Sequence, residues 1–101
     1  MIPMPAPKQR MLISGTSVPR LAAHTTFRHD ATRNAWVLLA PERLLLPDEQ
    51  AVEIIQLADG SRSVDAIVDS LAQRYAAPRE VIAGDVVALF QDLADKALVT
   101  A

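Results

Sequence analysis

The sequence predicts an α+β fold of the winged helix-turn-helix type, in which a three-stranded antiparallel sheet is followed by three helices. Two observations lead to this prediction. Apolar runs of strand length, bounded by turn residues, occur before residue 48, whereas apolar residues recur with helical spacing after it. Strands and helices that occupy separate parts of a chain are typical of α+β domains, in which the helices cover one face of the sheet.

Residues 1–19 differ in composition from the rest of the chain. They contain four of the seven prolines, and Lys8 and Arg10 are their only charged side chains. Proline lacks a backbone donor and blocks helix formation. We therefore expect a flexible, proline-rich N-terminal arm over residues 1–19 and a folded domain over residues 20–101.

Three strands are expected between residues 20 and 47. The first covers residues 24–30, and the second is the continuous apolar run at residues 35–40, whose composition indicates burial on both faces. The third is a short strand at residues 43–46, which ends at Pro47. Because proline cannot donate to a ladder, this strand is suited to the edge of the sheet.

Three helices are expected in the second half of the chain. The first covers residues 49–58, with Asp48 as its N-cap and Gly60 after its end. Ser63 caps the second helix. The third covers residues 78–96 and starts at a proline, which is favoured at the first helical position. Its apolar face is broader than one packing contact requires.

The residue inventory argues against catalysis. The chain has no cysteine, which excludes disulfides, thiolate metal sites and a thiol nucleophile. His24 and His29 are five residues apart in an extended segment, so their side chains point to opposite faces. There is no glycine-rich phosphate loop and no recognisable serine triad. We expect a protein that is not an enzyme and that carries no cofactor or metal.

Charge and hydropathy narrow the choice of partner. The net charge of −2 predicts no affinity for anionic lipid, and no apolar run approaches the roughly 18–20 residues that span a bilayer. The third helix has two basic residues against four acidic ones, which would repel DNA phosphates. Without an apparent secretory signal, the expected location is the cytoplasm.

The third strand offers a binding surface if it lies at the edge of the sheet. Its open backbone groups could then pair with an extended peptide, and the broad face of the third helix would supply an apolar wall. In the alternative interpretation, the leucines of residues 43–46 and Val87 simply complete the core. Two other functional classes stay open: a winged-helix DNA-binding transcriptional regulator, and a structural homodimer formed through the edge strand or the arm.

Several short motifs, taken in order, resemble the pyrroloquinoline quinone biosynthesis protein D (PqqD) family. The resemblance covers residues 19–99. It is carried by Leu39-Ala40-Pro41-Glu42-Arg43, Ala51-Val52-Glu53-Ile54-Ile55, Asp59-Gly60, Ser63-Val64, and Asp85-Val86-Val87 followed by Phe90 and Leu93. Two positions depart from the family pattern: Asn34-Ala35 replaces a frequent Gly-Gly, and Pro47 replaces an apolar residue.

The resemblance implies a recognition element for ribosomal precursor peptides. It implies a peptide chaperone of cofactor biosynthesis, which binds the precursor peptide PqqA as an added strand and presents it to the radical S-adenosylmethionine enzyme PqqE. Carried over to this chain, the peptide-binding residues would be Arg43, Leu44, Leu45 and Leu46 of the edge strand, with Val86, Val87 and Phe90 of the third helix.

Overall fold

The computed structural model describes residues 11–101. Its strands are β1 (Arg20–Leu21), β2 (Thr26–Asp30), β3 (Ala35–Ala40), β4 (Arg43–Leu45) and β5 (Val99–Thr100). Its helices are α1 (Glu49–Gln56), α2 (Val64–Arg74) and α3 (Arg79–Asp95). The predicted α+β fold is confirmed, because β2, β3 and β4 form a three-stranded antiparallel sheet and the three helices follow it.

A second, two-stranded sheet was not predicted. β1 pairs antiparallel with β5, so that Arg20 lies opposite Thr100 and Leu21 lies opposite Val99. The sequence indicated only a short extended tail near Leu98 and Val99, because two-residue strands carry no periodic signal. This pairing joins the start of the domain to its end.

The three-stranded sheet places β3 at its centre and β4 at one edge. Leu38 of β3 lies opposite Phe27 of β2 on one side and opposite Leu45 of β4 on the other. Val37 and Leu38 are each 1% exposed, as the prediction of burial on both faces requires. The turn before β3 contains Asn34 at φ 50°, a conformation that asparagine tolerates better than most residues. This explains how the turn forms without glycine.

Side-chain caps fix the start of two helices at the predicted positions. The Asp48 carboxylate accepts a hydrogen bond of 2.8 Å from the backbone N–H of Ala51, and the Ser63 hydroxyl accepts one of 3.1 Å from that of Ala66. These bonds satisfy backbone donors that helix starts leave unpaired. Helix α1 ends at Gln56, two residues before the predicted end.

The end of α3 forms a Schellman motif. The Leu98 N–H donates to the Leu93 carbonyl at 2.9 Å, and the Ala97 N–H donates to the Ala94 carbonyl at 3.0 Å. Ala97 has φ 61°, in the left-handed region that glycine usually occupies at this position. The motif turns the chain from α3 directly into β5.

The core lies between the three-stranded sheet and the helices. Leu38 contributes from the sheet, and the apolar stripes of α2 and α3 contribute most of the rest. The side chains that are at most 1% exposed in this cluster are Leu38, Val64, Ile67, Val68, Val86 and Phe90. Aliphatic residues therefore dominate the core, as the low aromatic content predicts.

Residues 11–19 lie against the domain. Ile13 is 7% exposed within the core cluster, and its N–H donates to the Gln91 side chain at 2.9 Å. The Ser17 carbonyl accepts a bond of 2.8 Å from the Val64 N–H. Residues 1–10, the remainder of the predicted arm, lie outside the described residues. The boundary at residue 19 stays a prediction.

Within residues 11–101, no helix combines the length and apolar character needed to cross a membrane.

Candidate functional site

Strand β4 presents an open edge. It pairs with β3 alone, since the sheet order is β2-β3-β4. In an antiparallel ladder, every second residue turns its backbone N–H and C=O away from the paired neighbour. Leu44 is 45% exposed and Leu46, just beyond the strand, is 59% exposed, although both are large and apolar. The edge thus combines unpaired backbone groups with exposed apolar side chains.

An apolar groove lies beside this edge. It has a volume of about 250 Å³ and separates the end of β4 from helix α3. We call it the edge groove. Its walls are Leu38, Leu45, Leu46 and Pro47 from the sheet side, Leu89, Asp92 and Leu93 from α3, and the N-cap Asp48 with Ala51 and Ile55 from α1.

The structure brings together only part of the predicted site. Leu45 and Leu46 line the edge groove, and Leu44 lies on the same edge. Val86 and Phe90 are 0% exposed and belong to the core. Val87 is half-buried, packs against the core and does not line the groove.

The α3 surface at the groove belongs instead to Leu89 and Asp92. Residues in a helix advance by about 100°, so Leu89 and Asp92 lie roughly 60–120° around the helix from Val86. The sequence marked Leu89 as part of the apolar face of this helix, but not as a site residue. Asp92 carried no binding signal of its own.

Arg43 occupies a different depression. This has a volume of about 370 Å³ and lies at the turn between β3 and β4, where its lining includes Arg43, His24, Glu42 and Lys96. The Lys96 ammonium pairs with the Asp92 carboxylate at 2.7 Å. Arg43 is the first residue of β4, so it lies at the opposite end of the strand from Pro47. It does not line the edge groove.

A larger groove runs between α1 and α3. It has a volume of about 410 Å³, and we call it the helical groove. Tyr75 and Val81 stand at its rim, 48% and 54% exposed. The Tyr75 hydroxyl donates to the Glu53 carboxylate, and this hydrogen bond raises the pKa of Tyr75 above its usual value near 10. Glu53 also pairs with Arg74 at 3.1 Å.

Within residues 11–101, no group of three or more His, Asp or Glu side chains is arranged to hold a metal ion. The described residues contain no buried side-chain polar atom that lacks a hydrogen-bond partner. Exposed large apolar side chains do occur at the β4 edge and in the adjoining grooves, at Leu44, Leu46, Tyr75 and Val81.

Comparison with solved structures identifies the class of domain. The solution structure of the PqqD truncation of Methylobacterium extorquens PqqCD superposes with a TM-score of 0.74 and 38% sequence identity, over 88% of this chain and 95% of that one. That protein is described as a functional, stand-alone recognition element for ribosomally synthesised and post-translationally modified peptides. A lasso peptide synthetase B1 complexed with its leader peptide shares the fold, with a TM-score of 0.72, at 18% identity over 84% of this chain and 100% of that one.

The chain belongs to the PqqD family. The family model for coenzyme PQQ synthesis protein D matches residues 35–99. A PqqA binding protein of Rhodopseudomonas palustris strain TIE-1 is 57% identical over 92 residues, which cover 91% of this chain and 90% of that protein. The resemblance seen in the short sequence motifs is thus confirmed.

Proposed function

We propose that this protein is a peptide-binding adaptor of pyrroloquinoline quinone biosynthesis. It binds the precursor peptide PqqA as an additional strand on β4 and presents it to the radical S-adenosylmethionine enzyme PqqE. The observation that carries the proposal is the open apolar edge of β4 beside the edge groove. The name PqqA binding protein, borne by relatives 57% and 54% identical to this chain, supports the identity of the peptide.

The geometry supports two complementary contacts. The backbone of an added strand gains hydrogen bonds from the β4 edge, which supply affinity with little dependence on sequence. Side chains of the guest that point toward α3 enter the edge groove and meet Leu89 and Leu93. Side chains of one face of a strand recur at every second residue, so the groove selects the apolar residues of that face.

Pro47 limits the length of the pairing. It follows Leu46 directly and has no backbone N–H. The guest therefore pairs over the short stretch of residues 43–46, and contacts in the grooves must supply the remaining affinity. The exposed leucines at the edge therefore supply a larger share of the affinity than they would beside a long edge strand.

The adaptor itself carries out no chemistry in this proposal. A flexible peptide pays the entropy of ordering when it binds, and the adaptor then holds it close to the enzyme. Holding both partners together raises the effective concentration of the peptide at the enzyme. Such an adaptor acts in the cytoplasm, where the precursor peptide is made.

An open apolar edge also permits self-association. Two copies could pair through β4, since unpaired strand edges readily join. A homodimer of that kind would cover Leu44 and Leu46 and would compete with the peptide. We expect light scattering to detect a smaller dimer fraction when PqqA is added.

Amide chemical shifts of labelled protein during titration with PqqA test the proposal. We expect changes clustered at residues 43–46 and at the groove-facing residues of α3. A titration in which saturating peptide leaves these amides unshifted would contradict peptide binding at this edge. Adding PqqE to the complex then tests presentation: a ternary complex on size exclusion is expected, and its absence would refute that part.

A further inference from the structure

Three neighbouring grooves lie in a row beside β4 and between α1 and α3, and we call this row the channel. A depression of about 220 Å³ between α1 and α3 shares Asp48, Ala51 and Leu89 with the edge groove. The same depression shares Gln50, Ile54 and Asp85 with the helical groove. The channel therefore begins beside Leu46, at the end of β4, and runs between α1 and α3 to the exposed side chain of Val81.

The walls of this channel carry charge of one sign. No Lys, Arg or His of residues 11–101 lines it. Five carboxylates do, and these are Asp48, Glu49, Glu53, Asp85 and Asp92. Two of the five are neutralised from outside the channel, Glu53 by Arg74 at 3.1 Å and Asp92 by Lys96 at 2.7 Å. The other three form no ion pair with a described lysine or arginine.

Of these three carboxylates, Asp85 contributes least to holding the fold together. Asp48 caps α1, and Glu49 lies in the first turn of that helix, where negative charge is favourable. Asp85 lies in the interior of α3 and accepts only a 3.3 Å hydrogen bond, from the Gln50 amide across the channel. An apolar channel with an uncompensated carboxylate on its wall is complementary to a positively charged apolar ligand.

We propose that the channel binds a cationic, apolar segment of the guest peptide, next to the segment that pairs with β4. This inference rests on the proposed peptide-binding function and adds the chemical class of the bound segment. A Lys or Arg side chain lays its aliphatic stem along an apolar wall while its charged end meets a carboxylate. Asp85 is the residue that recognises this charge, and Val81 and Tyr75 cover the stem.

A charge-reversal experiment tests the proposal. The probes are PqqA and a PqqA variant in which every Lys and Arg is replaced by Gln, titrated into the full chain at 50 mM and 500 mM NaCl. The substitution Asp85→Lys is compared with Glu80→Lys, which makes the same charge change on the same helix. Glu80 lies about 140° around α3 from Asp85 and does not line the channel.

We expect Asp85→Lys to weaken PqqA binding about threefold at 50 mM salt, which is the screened effect of two units of charge at roughly 7 Å in a medium like water. At 500 mM salt the effect falls below about twofold, because the Debye length shortens to about 4 Å. Glu80→Lys has no effect, and the Gln-substituted peptide binds both variants equally. A purely structural effect of Asp85→Lys would persist with the Gln-substituted peptide and at high salt.

Three results would overturn the proposal. Equal affinities of the Asp85→Lys and Glu80→Lys variants would show that the channel does not bind a cationic segment, although the protein still binds the peptide. Tighter binding by Asp85→Lys would mean that the carboxylates of the channel repel the peptide instead of attracting it. Failure of the wild-type chain to bind PqqA at either salt concentration would overturn the proposed function as well.

Discussion

Leu46 provides a direct test of the edge groove as the peptide site. Its side chain is 59% exposed in the free protein, and it lines the edge groove at the end of β4. The substitution Leu46→Ala removes most of this apolar surface without opening a cavity in the core. We therefore expect the stability of the fold to change little and the affinity for PqqA to fall.

The size of the effect follows from the exposed fraction. Complete burial of a leucine side chain is worth about 1.5–3 kcal/mol. A peptide that covers the 59% still exposed would gain about 0.9–1.8 kcal/mol. Loss of that contribution raises the dissociation constant roughly five- to twentyfold.

Leu12→Ala is the matched control. Leu12 is 71% exposed, so the substitution removes a similar apolar area, but Leu12 does not line the edge groove. Isothermal titration of PqqA into each variant measures the affinity, and thermal unfolding checks that both variants fold. The reasoning fails if Leu46→Ala binds as tightly as wild type, or if Leu12→Ala loses as much affinity.

Three further predictions concern the fold. Ala97→Gly should stabilise the protein by about 0.5–1 kcal/mol in urea unfolding, because Ala97 pays for its left-handed φ of 61°; a loss of stability would contradict this. Phe90→Ala should destabilise the protein by about 3–5 kcal/mol, since Phe90 is 0% exposed. A lower affinity for PqqA without a loss of stability would instead assign Phe90 to the binding surface. Tyr75, the only tyrosine, should ionise above its usual pKa because it donates to Glu53, and Glu53→Gln should lower that pKa in an absorbance titration. Because the pKa of Tyr75 is higher in the folded than in the unfolded protein, the contribution of neutral Tyr75 to the free energy of unfolding is fully present below the unfolded pKa near 10. That contribution is lost as the pH rises through the folded-state pKa.

The sequence predicted most of the fold because its local signals agree with the tertiary structure. The β3 bounds match the apolar run at residues 35–40, and Asp48 and Ser63 cap the helices as expected. β1 and β5 could not be found in this way. Each has two residues, and their pairing joins positions about 80 residues apart, which local patterns do not encode.

The site was less accessible to sequence reasoning. The apolar face of α3 is broad, and nothing in its spacing tells which side meets the core and which side meets solvent. The packing of α3 decides this, and it buries Val86 and Phe90 while Leu89 and Asp92 reach the edge groove. The carboxylate lining of the channel also depends on how α1 and α3 are placed, because Glu49 and Asp85 are distant in sequence.

The most direct test of strand addition is a set of nuclear Overhauser contacts between bound PqqA and the backbone of the sheet. The sheet has two edges, β4 and β2, so the measurement distinguishes the proposed site from its alternative within the same molecule. We predict contacts from the peptide backbone to Leu44 and Leu46, and from its side chains to Leu89. Contacts confined to β2, at Thr26–Asp30, or to no strand at all, would contradict the account.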